Sequence, residues 1–205
     1  MRAVLFVPLV LFVLLVLSSA SAAPPAGERR ETPTGDVWLQ MVPSGKGRPK
    51  EGIGHGVIDA PPERVYRALV DYRHWEEFMP FLEKSDARPQ PDGSVLSAQL
   101  LELPPPLGRR HYEIRARHRV EGGQGGKVWK IEWTCVAGSG NVAGHHGSWT
   151  LLPNGPGRTW ATCRLYTDPG GGIPHWAVNR GTSETLPWIF HGLRQHVRRS
   201  RYGAP

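Results

Sequence analysis

Cysteine is almost missing from this chain: Cys135 and Cys163 are the two among 205 residues. No Cys-x-x-Cys or His-x-x-x-His spacing occurs, which leaves no metal-binding motif, and no metal or cofactor is expected. Gly-x-Ser-x-Gly and Ser-x-x-Lys are absent as well, and neither cysteine has an activating pattern around it, so nucleophilic catalysis has no signature here. Apolar runs long enough to span a bilayer are missing, as are internal repeats and a basic stripe interleaved with aromatics. Nucleic acid is therefore not an expected partner. The excess of positive charge is modest, +7.

The longest apolar run is Val4–Leu17, preceded by Arg2 and followed by Ser18-Ser19-Ala20-Ser21-Ala22-Ala23. A charged start, a short apolar core containing Pro8 and a small-residue Ala20-Ser21-Ala22 site read as a secretory signal peptide over residues 1–22. Export to a periplasm or to the outside is the expectation. Residues 23–35 are rich in Pro, Gly and charge with no apolar periodicity, and read as a disordered spacer, so order is expected from Asp36 to Arg201 as one domain acting as a monomer.

Within that domain most of the chain has a period of two. Leu96, Ala98 and Leu100 alternate with polar neighbours, as do Tyr112, Ile114, Ala116 and His118 with Glu113, Arg115 and Arg117. Trp129, Ile131, Trp133 and Cys135 alternate with Lys130, Glu132 and Thr134; Gly147, Trp149 and Leu151 continue on the next strand, and Ala161, Cys163 and Leu165 on the one after. This is a half-buried antiparallel sheet. The cysteines fall on strands separated by a third, about 10 Å apart laterally, too far for a disulfide, and two free thiols are expected. Asp59-Ala60-Pro61-Pro62-Glu63 opens a short helix with Val65, Leu69 and Tyr72 on its buried face.

The one long helical pattern comes last. After Gly170–Gly172, Pro174 suits a first turn, and Val178, Thr182, Leu186, Ile189, Leu193 and Val197 form a stripe. Pro187 inside it predicts a kink near residues 183–187. Arg194, Arg198, Arg199 and Arg201 lie off the stripe, either as a dipole-matched solvated end or as a patch touching an anionic membrane surface. The fold class is thus α+β: a curved antiparallel sheet of six or seven strands wrapped around this helix. Large (Trp129, Trp133, Trp149, Tyr112) and small (Ala116, Gly147, Ala161, Cys163) inner residues leave either a cavity or a core the tryptophans fill.

Three stretches carry a family resemblance. They are Val57-Ile58-Asp59-Ala60-Pro61-Pro62-Glu63-Arg64-Val65-Tyr66, the Asp71–Pro80 connection with Trp75, and Asp168-Pro-Gly-Gly-Gly-Ile-Pro-His-Trp-Ala-Val-Asn-Arg leading to Leu186-Pro187. Together they resemble the START and START-like superfamily of lipid-transfer and polyketide cyclase proteins. Arg110-His111-Tyr112 is similar to that family's Arg-Asp-Tyr, with His111 in place of the acid. The resemblance implies a helix-grip fold whose hydrophobic cavity, between sheet and terminal helix, holds a lipid, sterol, quinone or polyketide-like ligand. The ligand-binding candidates are Arg110 near the mouth, then Tyr112, Ile114, His118, Trp129, Trp133 and Trp149 on strands, and Trp176, Leu186 and Ile189 on the helix; His145, Asn179 and Arg180 are further polar candidates. Two other readings stay open: a cyclase or aromatase with His118 or His145 as acid or base, and an interaction module using Trp160, Tyr166 and Trp188.

Overall fold

The computed structural model describes residues 26–105, 108–123 and 126–203. The signal-peptide reading and the Ala22 cleavage site lie outside them. Among the described residues nine antiparallel strands form one sheet: β1 (Glu28–Arg30), β2 (Val37–Val42), β3 (Glu51–Ile58), β4 (Leu82–Pro89), β5 (Val95–Leu103), β6 (Gly108–Gly123), β7 (Gly126–Cys135), β8 (Gly144–Pro153) and β9 (Thr159–Asp168). Their order is β1-β2-β3-β9-β8-β7-β6-β5-β4, so β4 to β9 meander and β9 then pairs with β3. Helix α1 (Pro62–Val70) and a 3-10 turn (Tyr72–Glu77) separate β3 from β4, and α2 (His175–His196) follows β9, with a short segment Ser200–Tyr202 after it that buries Tyr202.

The sheet is wider than the six or seven strands expected. The additions at its two edges, β1 and β4, read Glu-Arg-Arg and Leu-Glu-Lys-Ser-Asp-Ala-Arg-Pro, with almost no apolar alternation to betray them. Charged composition is what keeps an edge strand from pairing with another molecule. Strand β1 also corrects the spacer reading: Arg29 pairs with Trp38 across the ladder and its Nε reaches Asp36 Oδ2 at 2.8 Å, so the ordered chain includes residues 28–30. Both cysteines are free, Cys135 on β7 and Cys163 on β9 with β8 between them.

Helix α1 starts after Pro61, whose extended φ of −60° and ψ of 148° suit a chain entering a helix, and Asp59 makes no capping bond to it. Helix α2 runs unbroken through Pro187, about 33 Å at 1.5 Å per residue. Its stripe of Val178, Thr182, Leu186, Ile189, Leu193 and Val197 is buried throughout.

The helix can lie on the sheet because β3 offers it a groove. Gly52, Gly54 and Gly56 occupy successive inner positions of β3. A Cβ at Gly52 would stand 2.8 Å from Thr182 Cγ2, one at Gly54 2.9 Å from Phe190 Cε2, and one at Gly56 2.8 Å from Arg194 Nη2. Three absent side chains thus set how closely α2 approaches. Arg194, expected at the solvated helix end, is instead only 5 % exposed, because over Gly56 its guanidinium reaches the sheet's edge carbonyls, Val57 O at 2.9 Å, Gly35 O at 2.8 Å and Asp36 O at 2.7 Å.

This seat gives a direct test. Gly54→Ala raises intrinsic strand preference yet forces its methyl against Phe190 and Leu186, and is expected to lower stability by about 1–3 kcal/mol in denaturant titration. Gly122→Ala, also in a strand but facing open space, is expected to be neutral or mildly stabilising. Equal effects at the two positions would refute the seat.

Candidate functional site

Helix α2 packs on β2, β3 and β9, α1 packs on β7 and β8, and the 3-10 turn packs on β4. Over β3 and β8 the space under α2 is filled: Leu186 lies over Gly52 and Gly54, and the rings of Trp149 and Phe190 are 5.1 Å apart. Further along the sheet lie the inner positions of β7, β6 and β5. There, Tyr112, Ile114 and Trp133 are buried, and Ile189 is buried on α2. The structure therefore brings Tyr112, Ile114, Trp133, Trp149, Leu186 and Ile189 into one apolar core.

The remaining candidates separate to the two ends of that core. His118 and Trp129 are half-buried beyond Ala116 and Ile131. His118 Nε2 lies 2.7 Å from the Tyr72 hydroxyl, with the two rings stacked. Burial pushes the Tyr72 phenol up and the His118 imidazole down, so the phenol donates to a neutral ring. Arg110 sits at the opposite end, beside the loop that leads into α2: a Cβ at Gly171 would be 3.9 Å from its Nη2. Its Nη1 donates to Arg109 O at 3.0 Å, while its buried Nε has no partner among the described residues.

Trp176 is a correction. It was expected to face the sheet, and it is 70 % exposed, because Trp176 falls off the Val178–Thr182–Leu186 stripe in the first turn of α2. Asn179 Oδ1 accepts from the Lys50 amide at 2.7 Å and Arg180 pairs with Glu184, so both serve the helix surface. The aromatic patch is also corrected, since Tyr166 is buried with its ring stacked on His146. Of the C-terminal arginines, Arg194 is buried and Arg199 and Arg201 both pair with Glu77, which leaves Arg198 as the exposed cation of the four without an ion pair in the described residues.

Strand β5 reverses the alternation expected of it. Register puts Ser97 opposite Ile114 and Gln99 opposite Tyr112, so the polar residues of β5 share the inner face with buried β6 residues. Ser97 is fully buried and Gln99 is 6 % exposed, whereas Leu96 and Leu100 are half-buried and Ala98 is exposed. On β4, Ser85 lies opposite Gln99, buried, with its hydroxyl 3.4 Å from that of Ser97. These three residues were missed because an apolar-in, polar-out rule assigns them to solvent. The signal that could have found them is the Ser-Ala-Gln-Leu run itself, whose small and polar members alternate as regularly as the leucines.

His145 is buried with both ring nitrogens engaged. Trp133 Nε1–H donates to Nε2 at 3.0 Å, which places the ring proton on Nδ1, 3.0 Å from Thr167 Oγ1. Burial, with a smaller push from His146, drives its pKa down to about 3. His196 behaves alike at the end of α2. It is packed on Phe78 and bonded to Tyr202, and burial together with Arg199 lowers it to about 4 against the pull of Glu77. Both folded values lie below the ordinary imidazole value of about 6.5, so the unfolded chain binds more protons in the interval between. The stability they confer is complete above pH 6.5 and is lost as pH falls toward 4 and then 3. Melting temperature is expected to fall between about pH 7 and 4.5, and His145→Gln and His196→Gln should each flatten that decline. An unaltered slope in both variants would contradict this.

Among the described residues no group of three His, Cys, Asp or Glu is placed to hold a metal, and no helix is long and apolar enough to cross a membrane. No curated protein sequence matches the chain. Solved structures do match in fold. A STAR-related lipid transfer protein fragment from Xanthomonas axonopodis aligns at 22% identity over 83% of this chain and 97% of its own, with a TM-score of 0.68. Human StAR-related lipid transfer protein 5 gives 16% identity, 85% and 88% coverage and 0.62. The Zhui aromatase/cyclase from a Streptomyces species (R1128) gives 13%, 76% and 98% coverage, and 0.56. The sheet gripping a C-terminal helix is thus the START-like helix-grip fold. Residues 58–194 match the sequence family described as polyketide cyclase/dehydrase and lipid transport, and the chain belongs to that family.

Proposed function

We propose that this protein binds, and carries without chemical change, a hydrophobic molecule such as a lipid, sterol or quinone held between the concave face of the sheet and α2. The observation that carries this reading is a set of buried donors on the sheet that have no partner among the described residues: Gln99 Nε2, Trp149 Nε1 and Arg110 Nε. A buried donor without an acceptor costs about 1–3 kcal/mol, and a ligand with an apolar body and a few oxygens would remove that cost. Membership of a family that includes lipid transport supports the same reading. Export through the N-terminal apolar segment remains part of it, motivated by Val4–Leu17 and Ala20-Ser21-Ala22. Contact with an anionic membrane would rest mainly on Arg198, a weaker patch than four arginines.

The second reading, a cyclase or aromatase, has the Tyr72–His118 pair as its support, since a phenol and an imidazole 2.7 Å apart can pass a proton. His145 is unsuited to that work because both its nitrogens are occupied.

Native mass spectrometry of the purified protein, followed by solvent extraction, is expected to release an apolar molecule of unchanged structure. An empty protein whose tryptophan fluorescence ignores a lipid and quinone panel would overturn the binding reading. Turnover of an aromatic polyketide-like substrate that His118→Ala abolishes would replace it with the enzymatic one.

A further inference from the structure

The reversed strand β5 singles out one place in the concave face. Gln99, Ser97 and Ser85 form a polar corner on adjacent strands, each buried, where the neighbouring inner residues Ile114 and Ala116 are apolar and fully enclosed. The two serines are partnered with each other at 3.4 Å, and Gln99 Nε2, a group with two N–H donors, has no partner among the described residues. Natural interiors rarely leave such a donor idle, and β5, whose inner face carries Val95 and Leu101 on either side, spends stability by placing serine and glutamine between them.

The surroundings also fix the charge of what the corner can take. The titratable groups on the inner faces around it are Tyr112 beside Gln99, His145 packed on Tyr112, and His118 and Cys135, with Arg110 one inner step further along β6. Burial raises the Tyr112 phenol and lowers both imidazoles, so each of these three is uncharged near neutral pH. The Glu76 carboxylate approaches from the 3-10 turn, and it accepts from the Ser85 backbone amide at 3.1 Å. A phosphate or carboxylate brought to the corner would therefore be desolvated with Arg110 as the nearest cation along the inner face of β6, with Arg73 already held by Asp86 and Ala87 O, and with a carboxylate on the far side of β4.

Resting on the ligand-binding reading above, we infer that Gln99, supported by Ser97 and Ser85, is the specificity group of the site and hydrogen-bonds a neutral oxygen, a ketone, quinone or hydroxyl oxygen, on an otherwise apolar ligand. Charged headgroups are excluded from this depth and stop at Arg110. The corner thus sorts oxygen-bearing apolar molecules from plain hydrocarbons of the same shape.

Matched probes test it on the full folded protein by calorimetric titration: 2-methyl-1,4-naphthoquinone against 2-methylnaphthalene, and 2-tridecanone against tridecane. Wild type is expected to prefer the oxygenated member of a pair. Gln99→Leu should weaken that member about ten-fold and leave the hydrocarbon unchanged. Without any probe the same variant should melt no lower than wild type, since it removes an unpartnered buried donor, an outcome a purely structural glutamine would not give. If Gln99→Leu fails to fold, Ser97→Ala, which deletes one hydroxyl, is expected to show the same selectivity in a loss of a few-fold. Equal loss for both members of a pair, or no loss for the ketone and quinone, overturns the corner while the hydrophobic-ligand reading stands. Failure of wild type to bind any of the four probes, with no ligand extracted from the purified protein, overturns both.

Discussion

The distance at which α2 can approach β3 governs the rest of this structure. An inner strand position normally carries a side chain, and a helix resting on such a layer stands about 10 Å from the sheet. Gly52, Gly54 and Gly56 remove that layer under one line of the helix, so Thr182, Leu186, Phe190 and Arg194 descend to the backbone itself. The helix is thereby fixed over one end of the sheet, β2, β3 and β9, and not over its middle. Everything that makes a site possible follows from that offset. The far strands take their cover instead from α1, which packs on β7 and β8, and from the 3-10 turn, which packs on β4.

Burial of Arg194 belongs to the same constraint. Where α2 crosses Gly56 the helix is too close to the sheet for a cation to reach solvent, yet three carbonyls, of Gly35, Asp36 and Val57, stand within hydrogen-bond reach. Burying a guanidinium costs heavily unless its donors are met, and here the turn that leads into β2 meets them. The N-terminal turn, β2, β3 and α2 are therefore tied by one side chain. A position that reads as a solvated helix end in sequence is a clamp in three dimensions.

That contrast shows what was legible in the chain and what was not. Signals repeated along the sequence survived folding: the stripe from Val178 to Val197, the Trp129–Cys135 alternation, the separation of the two cysteines by a strand, and the three stretches resembling START-like proteins. Signals carried by one residue did not. Trp176 is apolar enough to suggest burial, but one turn of helix N-terminal to the seat there is no sheet beneath it. Strands β1 and β4 escaped notice because edge strands are selected for charge, which hides the alternation that marks a strand. Of the candidate site, the large apolar wall (Tyr112, Ile114, Trp133, Trp149) followed from period two alone. The polar corner did not, because period two gives the spacing of two faces and says nothing of which one turns inward; only pairing with β6 decides that.

The reversal of β5 is the step that connects fold to ligand. Had Leu96 and Leu100 faced inward in place of Ser97 and Gln99, as Val95 and Leu101 do on either side, the strand would have closed the core with hydrocarbon against Ile114 and Tyr112 and left no polar group over. Placing Ser97 and Gln99 there instead gives up apolar burial worth about 25 cal/mol per Å² and adds the desolvation of an amide. Such a loss persists in a structure when something else recovers it. The protein's own side chains recover part, through Ser85, and leave the amide protons of Gln99 over. Because burial also holds the neighbouring Tyr112 and His145 uncharged, the group that completes the set has to bring an oxygen and no charge. An apolar molecule with one exposed oxygen satisfies both conditions, and a bare hydrocarbon or an anionic headgroup fails one of them.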